Sequence, residues 1–163
     1  MRPTPRTFVA LDRDGTLLEY VPYLTQVLDV RLRPTAGQAV AMLNRVGVPV
    51  VLVTNQSVLA KGLLDDVGLT AIHDRVLSLL ATYGAHLDGI LVCPHSVDDS
   101  CFCRKPLPGL LAQHLKQERI EPGYGYIVGD NVTDLEMAFN IGATPIHIQG
   151  GVHSRDQVRS RYP

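Results

Sequence analysis

The sequence contains no tryptophan and few aromatic residues (6%), and its 15 basic residues are balanced by 16 acidic ones with no block of like charge. A nucleic-acid reader offers stacking rings and a basic field, so both shortages argue against DNA or RNA as a partner. Long hydrophobic runs are missing as well. The longest, residues 46–53, contains Pro49 and falls far short of the roughly 20 residues that cross a bilayer. The one apolar stretch near the N-terminus is broken by Asp12, Arg13 and Asp14, too early for a secretory core. Only three cysteines occur, Cys93, Cys101 and Cys103, an odd number crowded together and a poor disulfide framework. A soluble cytoplasmic protein is expected, with no membrane and no nucleic-acid partner.

What is present is apolar content. Hydrophobic residues make up 45% of the 163 positions and charged ones 19%, which excludes intrinsic disorder. A chain of this length suits one domain and buries about 70% of the surface its unfolded form exposes. The expectation is a monomer with a single domain over 1–163, its core spanning about 7–149. Residues 150–163 form a polar tail, either a loose end or a short terminal helix.

Short β-rich runs alternate with helical patterns. Residues 7–11, 48–53, 89–92 and 126–128 are near-continuously apolar and stop abruptly at polar positions, with 144–148 as a fifth candidate. Runs of this kind fit strands covered on both faces, as in parallel sheets. Between them, Ala39, Val40, Leu43 and Val46 form one helical stripe, ended by Gly47. A second follows an Asp65-Asp66 cap with Leu69, Ile72, Val76, Leu79 and Leu80. A third begins at Pro108 and a fourth runs from Thr133 to Gly142. Such repeats predict an α/β fold, a doubly wound, mostly parallel, Rossmann-like sheet with right-handed crossovers. Ligands of these sheets bind beyond the carboxyl ends of the strands, where Asp12, Thr54 and Asp130 all fall.

The first strand ends in Asp12-Arg13-Asp14-Gly15-Thr16. Two carboxylates at a strand tip before a glycine turn can face one site. One can attack a phosphoryl group and form an aspartyl-phosphate. The other can protonate the leaving oxygen and later deprotonate water. Repulsion between these groups and an anionic substrate calls for a hard cation, and Mg²⁺ meets that need. The plainer reading is an ordinary Asp-Gly surface turn. Further along, Thr54-Asn55-Gln56-Ser57 supplies a hydroxyl and backbone N–H groups that can hold a phosphoryl oxygen. Arg104-Lys105 supplies cations for transition-state charge. In Gly129-Asp130-Asn131-Val132-Thr133-Asp134, Asp130 can complete a cation site, and Asp134 follows one helical turn later.

Cys93, His95, Cys101 and Cys103 make a full tetrahedral Zn²⁺ set with no open position, which reads as structural rather than catalytic. Its task would be to pin residues 96–100 and aim Arg104 and Lys105. The remaining histidines, His73, His86, His114, His147 and His153, lie outside ligand spacing and read as surface or packing residues.

Over about residues 7–149 the chain resembles the haloacid dehalogenase superfamily of phosphatases, whose motifs occur here in order. The resemblance implies that Asp12 is the nucleophile and a Mg²⁺ ligand. Asp14 is then the acid/base, and a ligand through its carbonyl. Thr54 becomes the phosphoryl anchor, Lys105 the motif lysine, Asp130 a Mg²⁺ ligand and Asp134 a supporting acid. Arg13 is left without a role.

The zinc cluster is similar to that of a cap-less branch shared by D-glycero-D-manno-heptose 1,7-bisphosphate 7-phosphatases and histidinol-phosphate phosphatases. Thr54-Asn55-Gln56-Ser57 with Lys61-Gly62 resembles the heptose side, and the short loop between His95 and Cys101 the histidinol side. Asn131 stands where many heptose enzymes carry a lysine, and Val58 where glycine is usual. The heptose reading leads, with a small phosphorylated sugar as substrate. Tyr20, Tyr23, Asn55, Gln56, Ser57, Arg104 and Asn131 are then candidate substrate contacts beside Thr54 and Lys105. A zinc-stabilised binding module, such as a phospho-receiver, and a polynucleotide 3′-phosphatase are the competing readings.

Overall fold

A computed structural model describes residues 6–149 together with Asp156 and Ser160. The expected tail and His153 otherwise lie outside the described residues. Five strands, β1 (Phe8–Leu11), β2 (Val50–Asn55), β3 (Gly89–Cys93), β4 (Gly125–Gly129) and β5 (Thr144–His147), form one parallel sheet in the order β3-β2-β1-β4-β5. The predicted α/β fold is therefore present, with β1 central.

Alternation along β1 builds two cores. Val9 and Leu11 join Val50 and Leu52 on one face, against Val40 of α1 (Ala36–Arg45) and Ile72, Val76 and Leu80 of α3 (Asp66–Ala81). Phe8 and Ala10 join Val51 and Val53 on the other. There they meet Leu111 and Leu115 of α4 (Gly109–Glu118) and Met137 and Ala138 of α5 (Val132–Ile141). Period-two side chains buried on both faces explain why the strands read as unbroken apolar runs.

Three local features differ from expectation. The buried face of α1 is Gly37, Val40 and Ala41, whereas Val46 is exposed at the helix end. Gly37 is there because a Cβ would overlap the Tyr83 ring. Strand β2 continues through Thr54 and Asn55, because β3 pairs with it as far as Asn55↔Cys93. A one-turn helix α2 (Ser57–Ala60) follows, too short to leave a periodic signal. The predicted Asp65 cap is in place, its side chain accepting from the Gly68 N–H at 2.8 Å.

The chain runs outward from β1 through β2 to β3, then returns to place β4 and β5 on the other side of β1. The order reverses between β1 and β4, the position where such sheets hold ligands. Among the described residues, no helix is long and apolar enough to cross a membrane.

Candidate active site

The register sets the geometry. Leu11 lies opposite Leu52 of β2 and Val128 of β4, so Asp12 falls level with Val53 and Gly129. Its backbone N–H donates to the Val128 carbonyl at 2.9 Å. Thr54 and Asp130 come one residue later on either side. A cleft of about 300 Å³ opens over these three strand ends, lined by Asp12, Asp14, Tyr20, Thr54, Asn55 and Arg104 among others. Lys105, Asp130, Asn131 and Asp134 complete its polar wall. A second cleft of about 250 Å³ shares Asp14, Tyr20 and Asn55 with it, and Tyr23 and Ser57 line this extension.

Lys105 is the buried cation at the centre. Its Nζ donates to Asp12 Oδ1 at 2.5 Å and to the Val53 carbonyl at 2.8 Å, and pairs with Asp134 Oδ1 at 2.7 Å. Burial alone would push the lysine pKa down, but the charges of Asp12 and Asp134 outweigh it and hold it above the ordinary value. Burial pushes the Asp12 carboxyl up to about 8 against the pull of Lys105, with Asp134 and Asp14 adding to the rise. Asn55 fixes the lysine from behind. Its Oδ1 accepts from the Lys105 N–H at 3.0 Å and its Nδ2 donates to the Lys105 carbonyl at 3.2 Å, so its amide is used on main chain.

Two glycines make room for acids. A Cβ at Gly15 (φ +83°) would overlap the Asp130 carboxylate, and one at Gly129 would overlap the Asp134 side chain. Asp134 also closes a capping box at the start of α5. Its Oδ2 accepts from the Asn131 N–H at 3.0 Å, while Asn131 Oδ1 accepts from the Thr133 N–H at 3.1 Å. The Asn131 side chain thus serves the helix as well as lining the cleft.

Carboxylate oxygens of Asp12, Asp130 and Asp134 all lie within 4.8 Å of one another. This oxygen-only set, opened by the missing Cβ of Gly15, fits a small hard cation. The Asp14 carboxylate is turned elsewhere. It accepts from Arg13 Nε at 3.1 and 3.2 Å and from Gln56 Nε2 at 2.9 Å. Its main-chain carbonyl is what remains for a cation. The Gln56 amide also donates to Thr54 Oγ1 at 2.7 Å. A hydroxyl that accepts there keeps its own O–H to donate into the cleft.

The sulfur cluster sits at the end of β3. Cys93 Sγ lies 3.5 Å from His95 Nδ1, 3.9 Å from Cys101 Sγ and 3.2 Å from Cys103 Sγ, and His95 Nδ1 lies 3.1 Å from Cys103 Sγ. Tetrahedral Zn²⁺ with ordinary bond lengths spaces its ligands by about 3.6–3.8 Å, and the four atoms, all within 4.8 Å of one another, surround that spacing. Burial, followed by the neighbouring thiols, pushes Cys103 up to about 12. At Cys101 burial acts upward too, but N–H groups of Cys103 and Arg104 outweigh it and lower the pKa. Arg104 Nη1 donates to the His95 carbonyl at 2.9 Å, and the Gln56 N–H to the Cys93 carbonyl at 2.7 Å. The cluster is thereby tied to both sides of the cleft.

Sequence reasoning left out Arg13 and His73. Arg13 is 1% exposed and joins Asp14, Gln56 and His73. An arginine between two turn aspartates gives no sign in sequence that it points inward.

Known proteins carry the same frame. The family model described as "HAD-hyrolase-like" matches residues 102–163. The chain is 39% identical over 144 residues to the D-glycero-beta-D-manno-heptose-1,7-bisphosphate 7-phosphatase of Bordetella bronchiseptica, covering 88% of this chain and 80% of that one. A crystal structure of the D,D-heptose 1,7-bisphosphate phosphatase of B. bronchiseptica, complexed with magnesium and phosphate, superposes with a TM-score of 0.88 at 36% identity, over 95% of this chain and 86% of that one. The histidine biosynthesis bifunctional protein HisB of Legionella pneumophila is 34% identical over 92% of this chain, which spans 43% of HisB. Taken with the ordered acids at the sheet's switch point, these matches mean that the chain belongs to the haloacid dehalogenase superfamily of phosphatases, in the family of the heptose 1,7-bisphosphate 7-phosphatases.

Proposed function

We propose that the chain removes the 7-phosphate of D-glycero-D-manno-heptose 1,7-bisphosphate through an aspartyl-phosphate on Asp12. The observation that carries this reading is the cluster of Asp12, Asp14, Lys105 and Asp130 at the switch point of a chain so similar to phosphatases of that substrate. Asp12 attacks phosphorus, the bond to the sugar oxygen breaks, and that oxygen takes the proton of Asp14. Water then attacks the phosphoryl group, giving a proton to Asp14, while the bond to Asp12 breaks and phosphate leaves. Lys105 holds Asp12 and offsets charge, and the Thr54 hydroxyl donates to a phosphoryl oxygen. Asp12, Asp130 and the Asp14 carbonyl would hold Mg²⁺, which would supply charge neutralisation for an anionic substrate facing these carboxylates. Zn²⁺ on Cys93, His95, Cys101 and Cys103 is structural. The sugar and its second phosphate extend toward Arg104, Asn131, Tyr20, Tyr23 and Ser57, which line the two clefts.

The test is phosphate release with Mg²⁺, comparing both anomers of the bisphosphate with histidinol phosphate and using Asp12→Asn as the blank. A kcat/KM preference for the bisphosphate of about 100-fold or more is expected, since specificity of this size needs matched polar contacts. The similarity to HisB favours histidinol phosphate as the second reading, and a preference for that ester would replace the first.

Gly15→Ala tests the cation site. Its φ of +83° costs an alanine roughly 1–2 kcal/mol, and the added methyl displaces the Asp130 carboxylate. The Mg²⁺ concentration for half-maximal rate should rise at least about tenfold, because one ligand of the set is moved. An unchanged Mg²⁺ requirement would remove Asp130 from the ligand set.

A further inference from the structure

Arg13 is among the most deeply buried side chains of the protein, at 1% exposure, although it lies between two site acids. A guanidinium is costly to take from water unless its donors are met, and here each of its three nitrogens has a partner. Nε faces both Asp14 oxygens, at 3.1 and 3.2 Å. Nη2 donates to Gln56 Oε1 at 2.8 Å and pairs with Asp14 Oδ2 at 3.0 Å. Nη1 reaches His73 Nε2 at 3.4 Å. Burial, then the Arg13 charge, lowers the His73 pKa to about 4, so the ring is neutral and can accept.

Gln56 suits this place because an amide both accepts and donates. Its oxygen takes Arg13 Nη2, and its nitrogen serves Asp14 Oδ2 and Thr54 Oγ1. A carboxylate in its place would have no proton for Asp14. Asp14 Oδ2 is therefore held by three donors, Arg13 Nη2 and Nε and Gln56 Nε2, whereas Oδ1 has only the Nε contact. Asp14 keeps 23% of its side chain exposed and lines both clefts.

We propose that Arg13, braced by Gln56 and His73, is the positioning residue that locks the Asp14 carboxylate by Oδ2 and leaves Oδ1 facing the cleft as the proton-transferring oxygen. This rests on the reading of Asp14 as the acid/base. Arg13 borders the second cleft but is 1% exposed, with its nitrogens engaged by Asp14, Gln56 and His73, so its effect on catalysis passes through Asp14. The prediction is a dependence on the leaving group, which a merely structural role would not produce. A phenolate such as nitrophenolate leaves without a proton, whereas an alkoxide requires one.

The experiment measures kcat/KM of Arg13→Lys for benzyl phosphate and p-nitrophenyl phosphate, two esters with no sugar to contact. Lysine keeps the charge but loses the planar fork. A fall of about 100-fold on the benzyl ester, with less than about threefold on the nitrophenyl ester, is expected. Equal losses on both, or no loss on either, would overturn the proposal. If Arg13→Lys does not fold, Gln56→Met decides on the same ratio, because any phosphoryl contact of Gln56 is common to both esters. Asp14→Asn is measured alongside. Even losses in that variant would sink the acid/base reading itself, whereas an uneven loss there beside an even one in Arg13→Lys would overturn only the role of Arg13.

Discussion

Asp12→Asn will lower turnover by about 10⁴-fold or more, yet raise the thermal stability of the protein dialysed free of Mg²⁺. The first half follows from the proposed attack of an Asp12 oxygen on phosphorus. The second follows from where that atom is kept. Burial, the largest influence on Asp12, exceeds the pull of Lys105 and raises its pKa from 3.8 to about 8. A carboxyl raised on folding stabilises the fold at acid pH, and that stability is lost as pH climbs from about 4 to about 8. Asparagine does not titrate, so the variant should gain most over the parent near pH 8. Lys105 keeps Asp134 and the Val53 carbonyl as partners, so the substitution does not strand its charge. Mg²⁺ should reverse the order, stabilising the parent more than the variant by mass action. Thermal melts at pH 5 and pH 8, each with and without Mg²⁺, check the pattern. Retained turnover would remove Asp12 as nucleophile. A lower melting temperature for the variant at pH 8 without Mg²⁺ would show that burying the Asp12 carboxylate does not cost the fold stability.

This arrangement, a site that costs stability until loaded, also explains which parts were legible in the sequence. Asp12, Thr54 and Asp130 could be placed because the carboxyl ends of parallel strands converge and each apolar run stops at one of them. The four zinc-site residues could be grouped because their spacing is local. What could not be read depends on contacts between distant segments or on space. Asn55 and Gln56 look like substrate-facing polar residues, but their amides hold Lys105 and the Asp14–Arg13 pair in place. Arg13 and His73 are 60 positions apart, and neither belongs to a periodic or spaced pattern. Gly15 and Gly129 look like turn and strand-end glycines, yet each also leaves the space that admits an aspartate, Asp130 at the end of the neighbouring strand or Asp134 about one turn further along. The stripe of α1 is displaced from its apolar periodicity, since Ala39 and Val46 face water whereas Gly37 and Ala41 are buried beside Val40.

The second large effect should come from Zn²⁺, at a distance from the chemistry. Removing it with a thiol-competing chelator, then restoring Mg²⁺, is expected to lower the melting temperature by about 10 °C, as for loss of a native cross-link in a domain of this size. Activity should fall with it. Cys103 is followed directly by Arg104 and Lys105, and Arg104 is anchored on the carbonyl of His95 in the cluster. On the other side, the Cys93 carbonyl holds the N–H of Gln56, whose side chain orders Thr54, Arg13 and Asp14. The loss of Zn²⁺ should therefore loosen Lys105 from one direction and the Asp14 brace from the other. Three thiols and an imidazole brought to within 4.8 Å of one another have no other means of neutralising themselves than holding protons, and burial already makes Cys103 reluctant to release its own. Cys103→Ser should reproduce the chelated state, because a hydroxyl is a poor zinc ligand and the remaining three cannot close the tetrahedron. Zn²⁺ added back to the chelated parent should restore both the melting temperature and the rate, and Mg²⁺ alone should restore neither. Full activity in protein shown by elemental analysis to hold no zinc would mean that Arg104 and Lys105 are aimed by the polypeptide alone, through the Asn55 clamp on the Lys105 main chain.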